Sequence, residues 1–279
     1  MAFPPDPDLL LRLAEGQGIL RELLASELER ARGIQARPRI RPQPGMGPFE
    51  AALRQARNLG RPPVIAEFKR ASPSLGPFAA GADPRERLAA YARGGAAACS
   101  ILAEPARFLG RPGDFEAVQG LDLPVLYKGF VCTPAHLDEA AERGAHAVLL
   151  IARLLGEHLP GFAAAARDRG LEPLVELHAL DEIPSAQAAE PRLVGWNARN
   201  LADFSVGSAP AARLREAFPR ALLVRESGLA SPAEARAALA EGFDALLIGE
   251  ALMRAEHPTA FLLAIGPVPR PASAPQVTA

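Results

Sequence analysis

Cysteine is scarce in this sequence, with only Cys99 and Cys132 among 279 residues. They form no CxxC arrangement, which excludes a disulfide scaffold or a cysteine metal site and fits a reducing compartment. An excess of one charge is also lacking: the formal net charge is -1. No basic patch for nucleic acid or for a membrane surface is expected. No apolar run reaches the roughly 20 residues that a membrane span needs. The start, Met1 to Pro7, is proline-rich and acidic, without the basic residues and apolar run of a secretory signal. The histidines His136, His146, His158, His178 and His257 show no paired ligand spacing, so no metal site is expected. The composition reads as a soluble, cytoplasmic protein.

Lysine is the most informative shortage. Lysine and arginine total 31, yet the only lysines are Lys69 and Lys128. Wherever a positive charge serves solubility alone, this chain uses arginine. Lysine differs in that its pKa can be lowered until it gives and takes protons. Chance survival is the simpler explanation of the two lysines, and their positions weigh against it.

What is abundant is a repeating unit. Short apolar runs rich in β-formers alternate with Ala/Leu/Glu/Arg segments of helical pattern. The strands are expected at Val64–Phe68, Ala98–Leu102, Pro124–Lys128, Ala147–Ile151, Pro173–Leu177, Leu193–Trp196, Ala221–Arg225 and Ala245–Ile248. Helices are expected at Arg85–Arg93, Ala135–Arg143, Phe162–Arg169 and Pro232–Glu241. Gly144, Gly170 and Gly242 stand where helices would end, and Ser231-Pro232 reads as a helix start. Alternating strands and helices imply a parallel sheet. The first strand ends in Glu67-Phe68-Lys69 with no GxGxxG after it, which disfavours a doubly wound sheet. Eight evenly spread units favour a closed (β/α)8 barrel, a TIM barrel with a helical N-terminal extension. The expected organisation is an extension and linker over residues 1–48, a barrel over 49–266, and a disordered Pro/Ala/Ser-rich tail over 267–279. Within the extension, Leu9–Arg32 reads as one amphipathic helix and Phe49–Leu59 as a short helix leading into the barrel.

In such a barrel the active site lies at the C-terminal ends of the strands. Glu67 and Lys69 fall there on the first strand, Lys128 on the third, and Glu176 on the fifth. The sixth is followed by Asn197, Arg199 and Asn200, the seventh by Glu226, Ser227 and Gly228, and the eighth by Gly249 and Glu250. Any one of these could be a solvated rim residue, but the whole set converges on one mouth. Glu67 and Lys69, two apart on a strand, share its inward face. Ser72, in the loop after the first strand, joins Gly228, Gly249 and Glu250 as an expected phosphate site, since glycine lets backbone N–H groups approach an anion. The carboxylate of Glu250 would then have to point away.

These segments resemble a known family. Val64-Ile65-Ala66-Glu67-Phe68-Lys69-Arg70-Ala71-Ser72-Pro73-Ser74 is similar to the first-strand signature of the indole-3-glycerol phosphate synthases. Ser100–Pro105, Leu171–His178, Gly195–Leu201, Glu226–Gly228 and Ile248–Arg254 resemble the ends of later strands in the same order. The resemblance runs from about Phe49 to about Pro258. It implies closure of an indole ring on a phosphorylated carboxyphenylamino-deoxyribulose, with loss of carbon dioxide and water and without a cofactor. It implies that Lys128 is the catalytic acid and Glu176 the base. Lys69 would contact the substrate, Glu67 would orient these groups, and Asn197 would bind a hydroxyl. Arg199, Glu226, Ser227 and Phe130 would be further pocket residues. The expected partner is the small phosphorylated substrate, with the chain a monomer or weak homodimer.

Some positions depart from the family pattern. Gly129 stands where aspartate is usual after the lysine, so Lys128 would have to be held by groups such as Glu67 or Glu176. His136 and its neighbours replace a polar-aromatic pair, Leu109-Gly110-Arg111-Pro112 replaces a glycine-serine loop, and Ala198 stands where asparagine is common. Three other readings share features with the chain. A phosphoribosylanthranilate isomerase would need a Cys/Asp pair at strand ends, whereas Cys99 lies inside a strand. A non-catalytic binding paralogue would not need Lys69, Lys128 and Glu176 together. A synthase of a specialised indole pathway would carry the same residues.

Overall fold

The structure is a computed structural model that describes residues 4–13, 18–35, 45–199 and 210–270. Asn200 and the rest of the expected loop after the sixth strand lie outside the described residues, as do 271–279.

Eight parallel strands form the barrel: β1 (Val64–Phe68), β2 (Ala98–Leu102), β3 (Val125–Lys128), β4 (Ala147–Ile151), β5 (Glu172–Leu177), β6 (Leu193–Asn197), β7 (Leu222–Glu226) and β8 (Ala245–Ile248). Each pairs with its sequence neighbours, and β8 returns to β1 to close the ring. The sequence-expected strands agree to within a residue at each end. Glycine marks the helix exits: Gly144, Gly170 and Gly242 have φ of 76°, 74° and 106°, a conformation that a side chain disfavours. The Ser231 side chain accepts from the Glu234 N–H, with Pro232 at the first helical position, so the helix start expected there is present.

Strand alternation sorts the core into two shells. Val64, Ala66, Phe68, Cys99, Ile101, Tyr127, Val148, Leu150 and Val175 face outward to the helices. Ile65, Ala98, Leu126, Leu149, Leu174, Leu193, Leu222, Val224 and Leu247 fill the barrel. The same alternation turns Glu67, Lys128, Glu176 and Glu226 inward. They occupy corresponding heights on the odd-numbered strands, where such a barrel stacks one layer of side chains. Here that uppermost layer is charged.

The extension differs from the single helix expected over Leu9–Arg32. It forms α1 (Pro7–Leu13) and α2 (Ile19–Arg32). Gly18, at φ 52°, sits at the start of α2 in a conformation no helix interior can hold. α2 lies at the mouth, where Leu20, Leu23, Leu24 and Leu28 are buried. The next helix, α3 (Pro48–Asn58), lies at the opposite end. Glu172, at the start of β5, accepts from the Phe49 and Glu50 N–H groups at 2.7 and 2.9 Å and so caps α3 from the barrel floor. The extension thus covers both ends of the barrel. At the far end of the chain, the Val268 N–H donates to the Gly60 carbonyl, so the start of the expected tail is packed against the barrel.

Candidate active site

The charged layer opens into a cavity of about 560 Å³ at the C-terminal end of the barrel, within the size range of small-molecule sites. Glu67, Lys69, Ser72, Lys128, Phe130, Glu176, Asn197, Arg199, Glu226, Ser227, Gly228, Gly249 and Glu250 all line it. Apart from Asn200, which lies outside the described residues, the residues singled out at the strand ends therefore reach one space.

Its floor holds two ammonium groups among three carboxyls. Lys128 Nζ donates to Glu226 Oε2 at 2.5 Å and to Glu176 Oε2 at 3.2 Å. Lys69 Nζ lies 2.9 Å from Glu67 Oε1. The sequence reading expected Glu67 or Glu176 to hold Lys128 in the absence of an aspartate at position 129. Glu176 does hold it, with Glu226 as the closer partner, while Glu67 pairs with Lys69 instead. Gly129 itself has little room: a Cβ there would lie 3.0 Å from a ring carbon of Tyr127 and 3.4 Å from the Ala103 methyl.

Two glycines make the layer possible. A methyl group at Gly249 would collide with the Glu67 carboxylate and lie 3.1 Å from Lys69 Nζ. One at Gly195 would collide with Glu226.

The electrostatics separate the groups. Burial alone would raise Glu176, but Lys128 and then His178 overcome it and hold the carboxyl at about 2. Burial pushes Glu226 well above the ordinary carboxylate range; Lys128 opposes this and the neighbouring Glu176 adds to it. Burial would lower Lys128, yet Glu226, Glu176 and Glu67 together raise it above the usual lysine value. His178 Nε2 stands 3.3 Å from Glu176 Oε1, itself buried. Two carboxyls on one ammonium, with their proton affinities driven apart, is the pattern of a pair that divides acid and base duties.

The remaining wall is both polar and apolar. Asn197 Oδ1 accepts from Ser227 Oγ at 2.7 Å and from the Arg199 N–H at 3.1 Å. Ser227 and Gly228 have φ of 61° and 71°, a local turn beside the mouth. Glu250 points to the rim, 3.3 Å from Arg254 Nε and 3.9 Å from Arg199 Nη2. Opposite stand Phe130 and Phe108, with ring centroids 6.1 Å apart, joined by Leu149, Ile151 and by Ile19, Leu20 and Leu23 of α2.

Several contributors were not singled out from the sequence. The three α2 residues read only as one apolar face of a helix. Phe108 sits in a loop that departs from the family pattern. Arg70 makes a buried bidentate pair with Asp114, at 2.6 and 2.7 Å, and donates to the Leu109 carbonyl at 3.3 Å, tying the segment after β1 that carries Lys69 to the loop that carries Phe108 and the short helix after it. No sequence signal joins residues so far apart. Among the described residues no cluster of His, Cys, Asp and Glu could hold a metal ion. None of their helices is long and apolar enough to cross a membrane.

Comparison with known proteins shows the family. The family model described as indole-3-glycerol phosphate synthase matches residues 21–265. The Deinococcus radiodurans protein of that name is 46% identical over 211 residues, 73% of this chain and 78% of its own length. That of Halobacterium salinarum is 43% identical over 205 residues, covering 73% and 80%. That of Lactiplantibacillus plantarum is 37% identical over 253 residues, covering 85% and 94%. Among solved structures, a thiamine phosphate pyrophosphorylase from Pyrococcus furiosus is similar at a TM-score of 0.52 and 17% identity, covering 75% of this chain and 95% of that one, a likeness of fold alone. The chain belongs to the indole-3-glycerol phosphate synthase family, the decarboxylating lyases of tryptophan biosynthesis.

Proposed function

We propose that the cavity closes the indole ring with Lys128 as general acid and Glu176 as general base. The substrate is 1-(2-carboxyphenylamino)-1-deoxyribulose 5-phosphate. The observation that carries the assignment is the contact of Lys128 Nζ with two buried carboxyls, one of them held ionised.

Attack of the ring carbon on the ketone builds negative charge on the ketone oxygen, and an ammonium beside it supplies the proton. The carboxylate then leaves as carbon dioxide, and its bonding electrons restore the aromatic ring. The new hydroxyl next departs as water. That step needs an acid at the oxygen and a base at the neighbouring carbon. Lys69 is the second acid, oriented by Glu67, and Glu176 is the base. Asn197, fixed by Ser227, binds a substrate hydroxyl. Phe130, with the apolar wall around it, receives the aromatic ring.

The phosphate is read into the loops at Ser72, Gly228 and Gly249, which line the cavity together with Arg199; glycine lets backbone N–H groups approach an anion. Glu250 sits on the rim with Arg199 and Arg254, an arrangement that keeps its carboxylate from an anion at Gly249. The enzyme would work in the cytoplasm as a monomer or weak homodimer, without a cofactor. The test is appearance of indole fluorescence on adding the substrate to purified protein. Product formation is expected in wild type and near-complete loss in Lys128→Ala; turnover in that variant would contradict the reading. Inorganic phosphate should compete with substrate, and less well in Gly228→Val.

A further inference from the structure

The floor of the cavity contains more carboxyls than cations. Glu67, Glu176 and Glu226 face Lys69 and Lys128, and all five side chains are at most 17% exposed. With every group ionised the layer would carry one uncompensated negative charge in a place that hydrates it poorly. A buried like-charge pair relieves this by keeping one proton. Glu176 and Glu226 are that pair, because both touch the same Nζ. Glu226 Oε1, on the far side of that contact, is buried with no hydrogen-bond partner among the described residues. Besides Lys128, the titratable group against the pair among the described residues is His178, 3.3 Å from Glu176, whose ring nitrogens make no hydrogen bond among them.

The chemistry needs such a proton. The substrate's carboxylate leaves as neutral carbon dioxide, and the ketone oxygen leaves as water. Each turnover therefore lends two protons, one to the ketone oxygen and one to the departing hydroxyl. It recovers one, from the carbon that becomes aromatic. Lys128, once it has given its proton to the ketone, is a neutral amine enclosed by carboxyls.

We propose that Glu176 and Glu226 share one proton in the resting enzyme, and that Glu226 passes it to Lys128 after ring closure. The steps balance. Lys128 protonates the ketone oxygen. Glu226 returns a proton to Lys128, leaving both carboxyls ionised around a restored ammonium. Glu176 then takes the proton from carbon during dehydration, and the pair is singly protonated again. The net proton consumed enters through Lys69, the most exposed member of the set, which serves the departing hydroxyl. Glu226 acts through Lys128 and is a positioning and relay residue. The inference rests on the assignment of Lys128 and Glu176, and extends it.

Two measurements test it. Difference infrared spectroscopy of unliganded wild type near neutral pH should show a protonated carboxyl stretch that Glu226→Gln removes. This readout does not depend on Lys128 being the acid. In pre-steady-state assays, Glu226→Gln, which keeps the size and a donor but cannot exchange a proton, should show one comparatively fast turnover. A steady-state rate lowered roughly 10²-fold, the scale of one positioned proton-transfer group, should follow. Small carboxylic acids should partly restore the slow phase. A merely structural role would slow both phases equally. Absence of the protonated carboxyl band with a cationic His178 by NMR, or equal loss in both phases, would overturn the proposal.

Discussion

Tyr127 and Lys128 are adjacent on β3 and serve opposite sides of the barrel wall. Lys128 reaches inward to the carboxyls, while Tyr127, fully buried, turns outward and donates to Glu139 Oε2 at 2.6 Å. Glu139 also accepts two bonds from Arg30 of α2, at 2.9 and 3.0 Å, and Arg30 is bound in turn to Glu27. Glu27 Oε2 lies 3.2 Å from His136 Nε2. The extension helix that lines the cavity is thus tied to the strand that carries Lys128.

Arg30→Ala should loosen that tie. Glu139 would keep Tyr127 and Arg143, so the loss falls on buried Glu27, whose hydrogen bonds come from Arg30; a buried polar group left unsatisfied costs about 1–3 kcal/mol. The expected result is a lower Tm together with a raised KM, since Ile19, Leu20 and Leu23 belong to the same helix. Thermal melts and steady-state kinetics check both; a change in Tm with KM unmoved would separate α2 from substrate binding.

Gly249→Ala tests the pairing of Glu67 with Lys69. The added methyl meets the Glu67 carboxylate, so the pair must shift. Active-site displacements of about 1 Å can cost on the order of 10²-fold. The expected outcome is a loss of kcat of that order with little change in the melting temperature. Full activity would mean that the pair is not part of the machinery.

The two carboxyls on Lys128 predict opposite responses of stability to pH. Glu176 is lowered in the folded protein, so its contribution is complete above the ordinary carboxylate value and is lost as pH falls through about 2. Glu226 is raised, so its contribution is present at low pH and is lost as pH rises through its elevated folded value. Melting temperature should decline in wild type as pH rises above the ordinary carboxylate value, and less so in Glu226→Gln. In Lys128→Met the acid unfolding midpoint should move to higher pH, because the group that lowers Glu176 is gone. Unchanged profiles in both variants would contradict these assignments.

Much of this was legible in the sequence because barrel strands carry their own code. The spacing of Glu67 and Lys69 puts both on the inward face, and the position of Lys128 at the end of a β-rich run places it at the mouth. What could not be read was the pairing across the barrel. Glu226 and Lys128 are 98 residues apart and meet only through closure of the ring. The glycines illustrate the same limit: Gly249 reads as an anion-binding loop, and the structure adds that it makes space for Glu67. The break at Gly18 was visible as a glycine, but the apolar pattern on either side of it reads as one continuous helix.

The most direct test of Lys128 as general acid is single-turnover kinetics of wild type and Lys128→Arg across pH. Arginine keeps the positive charge but does not release a proton near neutral pH, since its pKa stays above about 12. Ring closure should slow by roughly 10²–10⁴-fold, while a product-like ligand still binds. Near-wild-type rates in the arginine variant would contradict the assignment.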